Sequence, residues 1–363
     1  MRGWAQISKM VEIPDELLGN KEPFFVCSRS VLRTQVDALR ALGADVFYSV
    51  KTNPHKDILK HLVSFGVGLS LSDPAQVALL ETMPPDSTYY QRALTRERVR
   101  SMVAKGVKDF IVDSAAAFDN VLAEVSDIET ASITVRLRQG AGFSNDYSGD
   151  YVPGLSREKA LELVARCAQR GIKTGVLHHA SSQVCDPDAW ESKFKELHDF
   201  VSDSGVDIVN LGGGVPVDYS GSDRHLEGID GVLKSGISEL KSAGCRVICE
   251  PGRFIAAPAC SLVTRVELLD DEKAVLNASL YSTHIDSILA GIKLPFRRIG
   301  VADNETIREY ALLGSSLCNL DVFNHSASLP RLSAGDIIVF DNAGAYNASS
   351  EFSSGDLELF MVD

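Results

Sequence analysis

The chain has 363 residues, 45% of them hydrophobic and 23% charged, and its 49 acidic against 36 basic side chains give a net charge of −13. That length exceeds what a single small core fills, so two domains are expected, and the composition excludes a disordered or low-complexity chain. The acidic balance, without clustered Lys and Arg, argues against a nucleic-acid polymer as partner, and no apolar run reaches the ~18–20 residues of a membrane helix.

The opening MRGWAQISKMVEIPDELLGN lacks an apolar targeting core, so a cytoplasmic protein acting on small molecules is expected. The seven cysteines are odd in number and scattered, which reads as a reduced set. Cys245 and Cys249 lie four apart without matching His or Cys pairs, so packing is expected there and no metal site.

In chain order, QISKMVEIP (6–14) reads as a possible first strand. Short β-rich runs then follow: DVFYSVK (45–51), VGLSLS (67–72), STYYQ (87–91), DFIVD (109–113), ITVRLR (133–138), TGVLHH (174–179), DIVNLGGG (207–214) and RVICEPG (246–252). Between them lie amphipathic segments such as SREKALELVARCAQRG (156–171), with apolar residues three and four apart, a basic last turn and a terminal glycine. Eight strands alternating with helices imply parallel strands in a closed (β/α)8 TIM-like barrel, against a doubly wound open sheet as the alternative. After Pro258 strand-like runs and turn residues dominate, from CSLVTRVELL to GDLELFMVD. The expected layout is a barrel over 22–255 and a C-terminal β-rich, sandwich- or barrel-like domain over 256–363, joined by a strand from 1–21.

Polar residues collect where the predicted strands end, the rim on which barrels of this kind carry their chemistry. Lys51 ends the first strand, Ser70 and Ser72 the second, Arg136 and Arg138 the fifth and His179 the sixth. LGGG (211–214) follows the seventh and EPGR (250–253) the eighth. Each has a bland explanation alone: a snorkelling lysine, a hydrogen-bonded histidine, a flexible turn, a surface ion pair. Together, a lysine able to form a Schiff base, a glycine-rich loop for a phosphate, an arginine to neutralise it, a carboxylate for a pyridinium nitrogen and a flat imidazole meet the requirements of pyridoxal 5'-phosphate.

FYSVKTNP, HHASSQVCDP, NLGGGVP, CEPGR and AGAY resemble, in order and spacing over residues 22–350, the fold-type III pyridoxal-phosphate decarboxylases that act on ornithine, diaminopimelate, arginine and carboxynorspermidine. The resemblance implies an alanine racemase-like barrel plus a β-domain, and a homodimer with shared active sites. It makes Lys51 the Schiff-base lysine and His179 the imidazole stacked on the cofactor ring. It puts Ser182, Gly213, Gly214, Arg253 and Tyr346 around the phosphate, Glu250 against the pyridine nitrogen and Arg136 near the cofactor, with Gly252 also among the cofactor-binding residues. An acid at Glu250, where racemases of this fold carry arginine, favours decarboxylation. The group that reprotonates the α-carbon is then Lys51 or a cysteine, with Cys318 the candidate.

Where relatives carry GPxCD or GPxCE, this chain reads GSSLCNLDVF (314–323). Aligning on Gly314 and Asp321 puts Cys318 at the acidic position, and aligning on Cys318 puts Asn319 there. Without that acid, and without an aspartate in GIKLPF (291–296), the substrate is expected to be something other than plain ornithine or lysine, such as an aminocarboxypropyl-type conjugate in a biosynthetic pathway. The alternatives are a racemase of the same fold and a non-catalytic cofactor-binding relative that acts through a protein partner.

Overall fold

A computed structural model describes residues 10–125, 129–138, 153–179, 181–219, 226, 228–301, 305–347 and 357–363. The chain forms two compact units, one centred on Gln35–Val217 and Asp223–Phe254, the other on Ile255–Asp363 with Gln6–Thr34 and Asp218–Ser222.

After β1 (Phe24–Ser28) and α1 (Arg29–Arg40) come eight strand–helix repeats. They are β2 (Asp45–Ser49), α2 (Lys56–Ser64), β3 (Gly68–Leu71), α3 (Pro74–Ala78), β4 (Ser87–Tyr89), α4 (Arg96–Ala104), β5 (Asp109–Val112) and α5 (Ala115–Val125), followed by β6 (Ser132–Arg136), α6 (Arg157–Ala168), β7 (Lys173–Leu177), α7 (Pro187–Ser204), β8 (Ile208–Asn210), α8 (Ile229–Ser242), β9 (Arg246–Cys249) and α9 (Arg253–Ala259). Strands β2 to β9 pair in parallel in sequence order, and β9 returns to β2 through Asp45↔Ile248 and Val46↔Cys249, closing the expected barrel.

The sequence sets these elements locally. Asp73, Thr95, Ser156 and Asp186 each accept a first-turn amide of the helix they precede, the hydrogen bonding that Asp, Ser and Thr offer at a helix start. Phe47, Ile208 and Ile248 fill one layer of the barrel interior, while Ala117, Phe118, Val121 and Val125 bury the inner face of α5. At the N-terminal end of the barrel Arg246 joins Asp45 at 2.6 Å and Asp86 at 2.9 Å, leaving the opposite rim for chemistry.

The second unit is a sheet built from β10 (Cys260–Asp270), β11 (Lys273–Leu276), β12 (Phe296–Arg298), β13 (Ile307–Leu313), β14 (Val322–Pro330), β15 (Ile337–Phe340) and β16 (Leu359–Val362), with α10 (Leu280–Thr283) and α11 (Ile285–Ala290) after β11. Its strands run in the order β12-β15-β10-β11-β13-β14, and β1 pairs with both β10 and β16. Phe25, Leu262, Leu276, Leu312, Leu329 and Phe340 lie at its core.

One sequence expectation needs correction here, and another falls largely outside the described residues. Residues 10–14 carry no strand, the rest of QISKMVEIP lies outside the described residues, and the N-terminal strand that joins this sheet is Phe24–Ser28. The cysteines are not all reduced: β1 and β10 place Cys27 opposite Cys260, and the two form a disulfide across 233 residues of sequence. Among the described residues no helix is long and apolar enough to cross a membrane.

Candidate active site

β2 ends at Ser49, and Val50–Thr52 form one 3-10 turn rather than continuing the strand. The Ser49 amide donates to the Pro251 carbonyl at 3.2 Å and the Tyr48 hydroxyl to the Asn53 carbonyl at 3.1 Å. Val50, Thr52 and Asn53 are buried, which leaves Lys51 as the exposed side chain of the turn. Gly252 is what lets the ends of β2 and β9 approach, because a Cβ on it would collide with Thr52 Oγ1 and lie 3.2 Å from Ser49 Cβ. Gly252→Ala is therefore expected to destabilise the fold by about 1–3 kcal/mol through overpacking. The check is a thermal melt, in which an unchanged midpoint would count against this packing.

After β8 the backbone turns through Gly212 (φ +61°) and Gly214 (φ +101°), conformations open to glycine and costly for other residues. Asn210 organises this turn: its Oδ1 accepts the Gly212 amide at 2.8 Å and its Nδ2 donates to Glu250 Oε1 at 2.9 Å. The Glu250 amide donates to the Gly212 carbonyl at 2.8 Å, and the Gly213 amide donates to His179 Nδ1 at 3.1 Å. With Nδ1 accepting, the proton of the neutral His179 ring belongs on Nε2. Burial, together with the nearby charges of Arg136, Lys51, Lys193 and His178, holds the His179 pKa well below the usual imidazole value.

Glu250 faces neutral donors. Its Oε1 also accepts from Thr88 Oγ1 at 3.2 Å, and Ser70 adds a further hydrogen bond. Burial pushes its carboxyl pKa up, while the hydrogen bonds from Asn210, Ser70 and Thr88 and the charge of Lys51 pull it down. A cation placed against this carboxylate would relieve the burial penalty.

Two arginines stand at the rim. Arg136 ends β6 with its guanidinium 5.1 Å from the centre of the Tyr90 ring, and its Nε is buried without a hydrogen-bond partner among the described residues. Tyr90 donates to Asp113 at 2.9 Å, and its hydroxyl is pushed up to about 12, chiefly by burial. Arg253 is buried at the start of α9, and its Nε donates to Ser182 Oγ at 3.3 Å. Arg138 lies beyond the end of β6, with its amide on the Leu155 carbonyl.

Direct contacts thus join His179 with Gly213, Glu250 with Gly212 and Asn210, and Ser182 with Arg253, while Lys51 acts electrostatically on both His179 and Glu250. Tyr346 and Cys318 belong to the second unit. Tyr346 adopts φ +62° in the turn after β15, where the Ala343 amide donates to the Cys260 carbonyl and Gly344 packs on the Ala256 carbonyl. Cys318 is exposed, 3.0 Å from the Tyr281 hydroxyl, whose hydrogen bond brings the thiol pKa below its ordinary value. Asp321 is only 2% exposed and accepts the Leu280 and Ser316 amides, so it builds the loop rather than displaying a charge, while Leu317 and Leu320 are exposed.

Sequence reasoning singled out neither Asn210 and Thr88 as partners of Glu250 nor Tyr281. Asn210 lies inside NLGGG and Thr88 inside a predicted strand, but nothing in the sequence ties either to Glu250.

The pyridoxal-dependent decarboxylase family matches this chain over residues 28–257, the part described as its pyridoxal binding domain. An ornithine decarboxylase of Schizosaccharomyces pombe is 27% identical over 84% of this chain and 74% of its own length. An antizyme inhibitor 2 of Xenopus laevis is 23% identical over 97% of this chain and 83% of its own. A crystal structure of a lysine/ornithine decarboxylase from Vibrio vulnificus, complexed with cadaverine, superposes with a TM-score of 0.80 over 94% of each chain at 22% identity.

Proposed function

Since the chain belongs to the fold-type III pyridoxal-phosphate-dependent decarboxylases, a group acting on ornithine, diaminopimelate, lysine and arginine, we propose that its own substrate is an amino acid with a larger or differently charged distal end than ornithine or lysine. An aminocarboxypropyl group on a conjugate, met in a biosynthetic pathway, is the kind of substrate meant. What supports this narrower reading is the loop around Cys318, where Asp321 is buried in hydrogen bonds and Asn319, Leu317 and Leu320 take the places around the cysteine. A distal ammonium would find no displayed carboxylate in that loop.

Pyridoxal phosphate, when bound, supplies an electron sink for the charge left on an α-carbon as carbon dioxide departs. The residues present fit it. Glycines 212 to 214 leave no room for side chains where their amides turn, and Arg136 keeps a buried N–H without a partner among the described residues. In this reading Lys51 is the residue whose primary amine would hold the cofactor. His179 would lie against the ring as a neutral imidazole, Ser182, Gly213, Gly214, Arg253 and Tyr346 would serve the phosphate, and Arg136 and Gly252 would lie near the cofactor. Lys51 Nζ or Cys318 Sγ returns the proton to the α-carbon, the latter lying next to Tyr281.

The observation that carries the decarboxylase assignment in residue terms is Glu250, held between Asn210 and Thr88 and acted on by Lys51. A carboxylate there keeps a pyridine nitrogen protonated, which a racemase-type arginine would not do. The match to an antizyme inhibitor 2 is the observation behind the second reading, a cofactor-binding protein acting through a partner, possible for a chain that keeps Lys51 and the glycine turn only if turnover is absent. A cytoplasmic homodimer with shared active sites completes the proposal.

Turnover in deuterium oxide separates these readings. With the true substrate, carbon dioxide release should match amine formed one for one, and the amine should carry a single α-deuterium. Substrate recovered with α-deuterium and an intact carboxylate as the main outcome would make the protein a racemase. No release from any α-amino acid or aminocarboxypropyl conjugate would favour the partner-binding reading.

A further inference from the structure

Helix α7 buries Trp190, Phe194, Leu197, Phe200 and Val201 at helical spacing, and Lys193 falls on the same face with 0% exposure. Its Nζ donates to the Leu211 carbonyl at 2.5 Å and lies 4.3 Å from the centre of the Trp190 ring. That ring is itself fixed, because its Nε1 donates to the Val184 carbonyl at 3.0 Å. Among the described residues no carboxylate forms an ion pair with Lys193. Burying an ammonium in this way works against folding, and an apolar side chain of similar volume would avoid the penalty.

What Lys193 holds is the entry to the glycine turn. The carbonyls of Asn210, Gly212 and Gly214 accept the backbone amides of His178, Glu250 and Val184, each from a different segment of the barrel. The Leu211 carbonyl, in the middle of the same run, accepts from a charged side chain instead. The turn is therefore pinned from several sides, and among the described residues only this pin carries a charge.

We propose that Lys193 is a positioning residue for phosphate recognition: from the helix outside the barrel it fixes the Leu211 carbonyl, and with it the Gly212–Gly214 amides, and its positive charge biases the turn toward a phosphate monoester. The proposal rests on the reading of that turn as the phosphate seat.

The charge is set near neutrality. Burial brings the Lys193 pKa down to about 7. The titratable groups that face it are Cys249 on β9, a neutral thiol pushed up to about 12 by burial, and His179 beyond β7, held neutral. On its own helix Glu196 is engaged by His178 at 2.9 Å, and no charged group of α6 or α8 acts on Lys193. Below about pH 7 the ammonium is charged and favours an anion at the turn. As pH rises through that value the attraction is lost, and a bound anion shifts the loss somewhat upward by stabilising the charged form.

The test compares the holoenzyme with Lys193→Met and Lys193→Gln, measuring dissociation constants for pyridoxal phosphate and for pyridoxal between pH 6 and 9, with thermal melts of the cofactor-free proteins alongside. Lys193→Met should weaken pyridoxal phosphate about tenfold at pH 6.5, equivalent to ~1.4 kcal/mol, and leave pyridoxal within about twofold. It should also remove the difference between pH 6.5 and 8.5 that the wild type shows relative to the variant, and its melting midpoint should be unchanged or raised, an outcome that a purely structural role does not give. Lys193→Gln, which keeps a donor without the charge, should recover part of the affinity and none of the pH dependence. Equal weakening of both ligands, or no weakening of either, would overturn the proposal. A wild-type protein that binds neither ligand would instead overturn the reading of the site.

Discussion

Lys51→Ala is expected to lower kcat on the order of 10⁴-fold, the largest effect of any single change in this chain, because in the proposed role it removes a group that acts on the reacting atoms at more than one step. Lys51→Arg should be nearly as inactive: it keeps a positive charge at the rim but offers no primary amine able to act as a nucleophile. That comparison matters because Lys51 also acts electrostatically on Glu250 and His179. A role limited to charge predicts that Arg rescues, and a nucleophilic role predicts that it does not. Borohydride treatment of the wild-type holoenzyme should add the cofactor's mass to the peptide containing Lys51. Small primary amines supplied in the buffer should restore a fraction of turnover to Lys51→Ala. Full turnover in Lys51→Ala would end the assignment.

Glu250→Gln comes next, with an expected fall in kcat of about 10²–10³-fold and a change in KM of less than about threefold, the split produced when an interaction matters mainly in the transition state. The amide keeps the size of the side chain and can still engage Asn210 and Thr88, so the barrel wall should stay in place. What disappears is the negative charge. Glu250→Asp should fall between the two, with the charge retained but withdrawn by one methylene. If Glu250→Gln raised KM with kcat unchanged, the carboxylate would be a binding group and its proposed electronic role would be lost.

The barrel was legible because each of its strands is a short apolar run closed by polar or glycine-rich residues, and that pattern survives without knowledge of contacts. The errors lie at strand ends. DIVNLGGG reads as one strand, yet only Ile208–Asn210 pairs, because the glycines leave the ladder to make the turn. VFYSVK likewise ends two residues early, with Lys51 in a 3-10 turn that Tyr48 and Gly252 hold. Residues sharing one motif were easy to group. Those that meet only in space were not: Thr88 and Glu250 are 162 residues apart, and Cys27 and Cys260 face each other only because of the register of β1 on β10. Lys193 could have been seen, since a lone lysine on the apolar face of WESKFKEL breaks the helical pattern, but the pattern alone does not say what it would touch.

Strand β1 has one further consequence, which concerns time rather than space. Its FFVCS sequence is buried along its whole length, and its partner β10 begins 232 residues later, with β16 later still. At roughly 5–20 residues per second of synthesis, this apolar strand waits on the order of ten to fifty seconds with its hydrogen-bonding edges unpaired, while the barrel strands after it can already associate. An exposed apolar edge is the template on which chains join one another. The second unit therefore depends, during every round of translation, on keeping its first strand out of the wrong sheet until the right one exists.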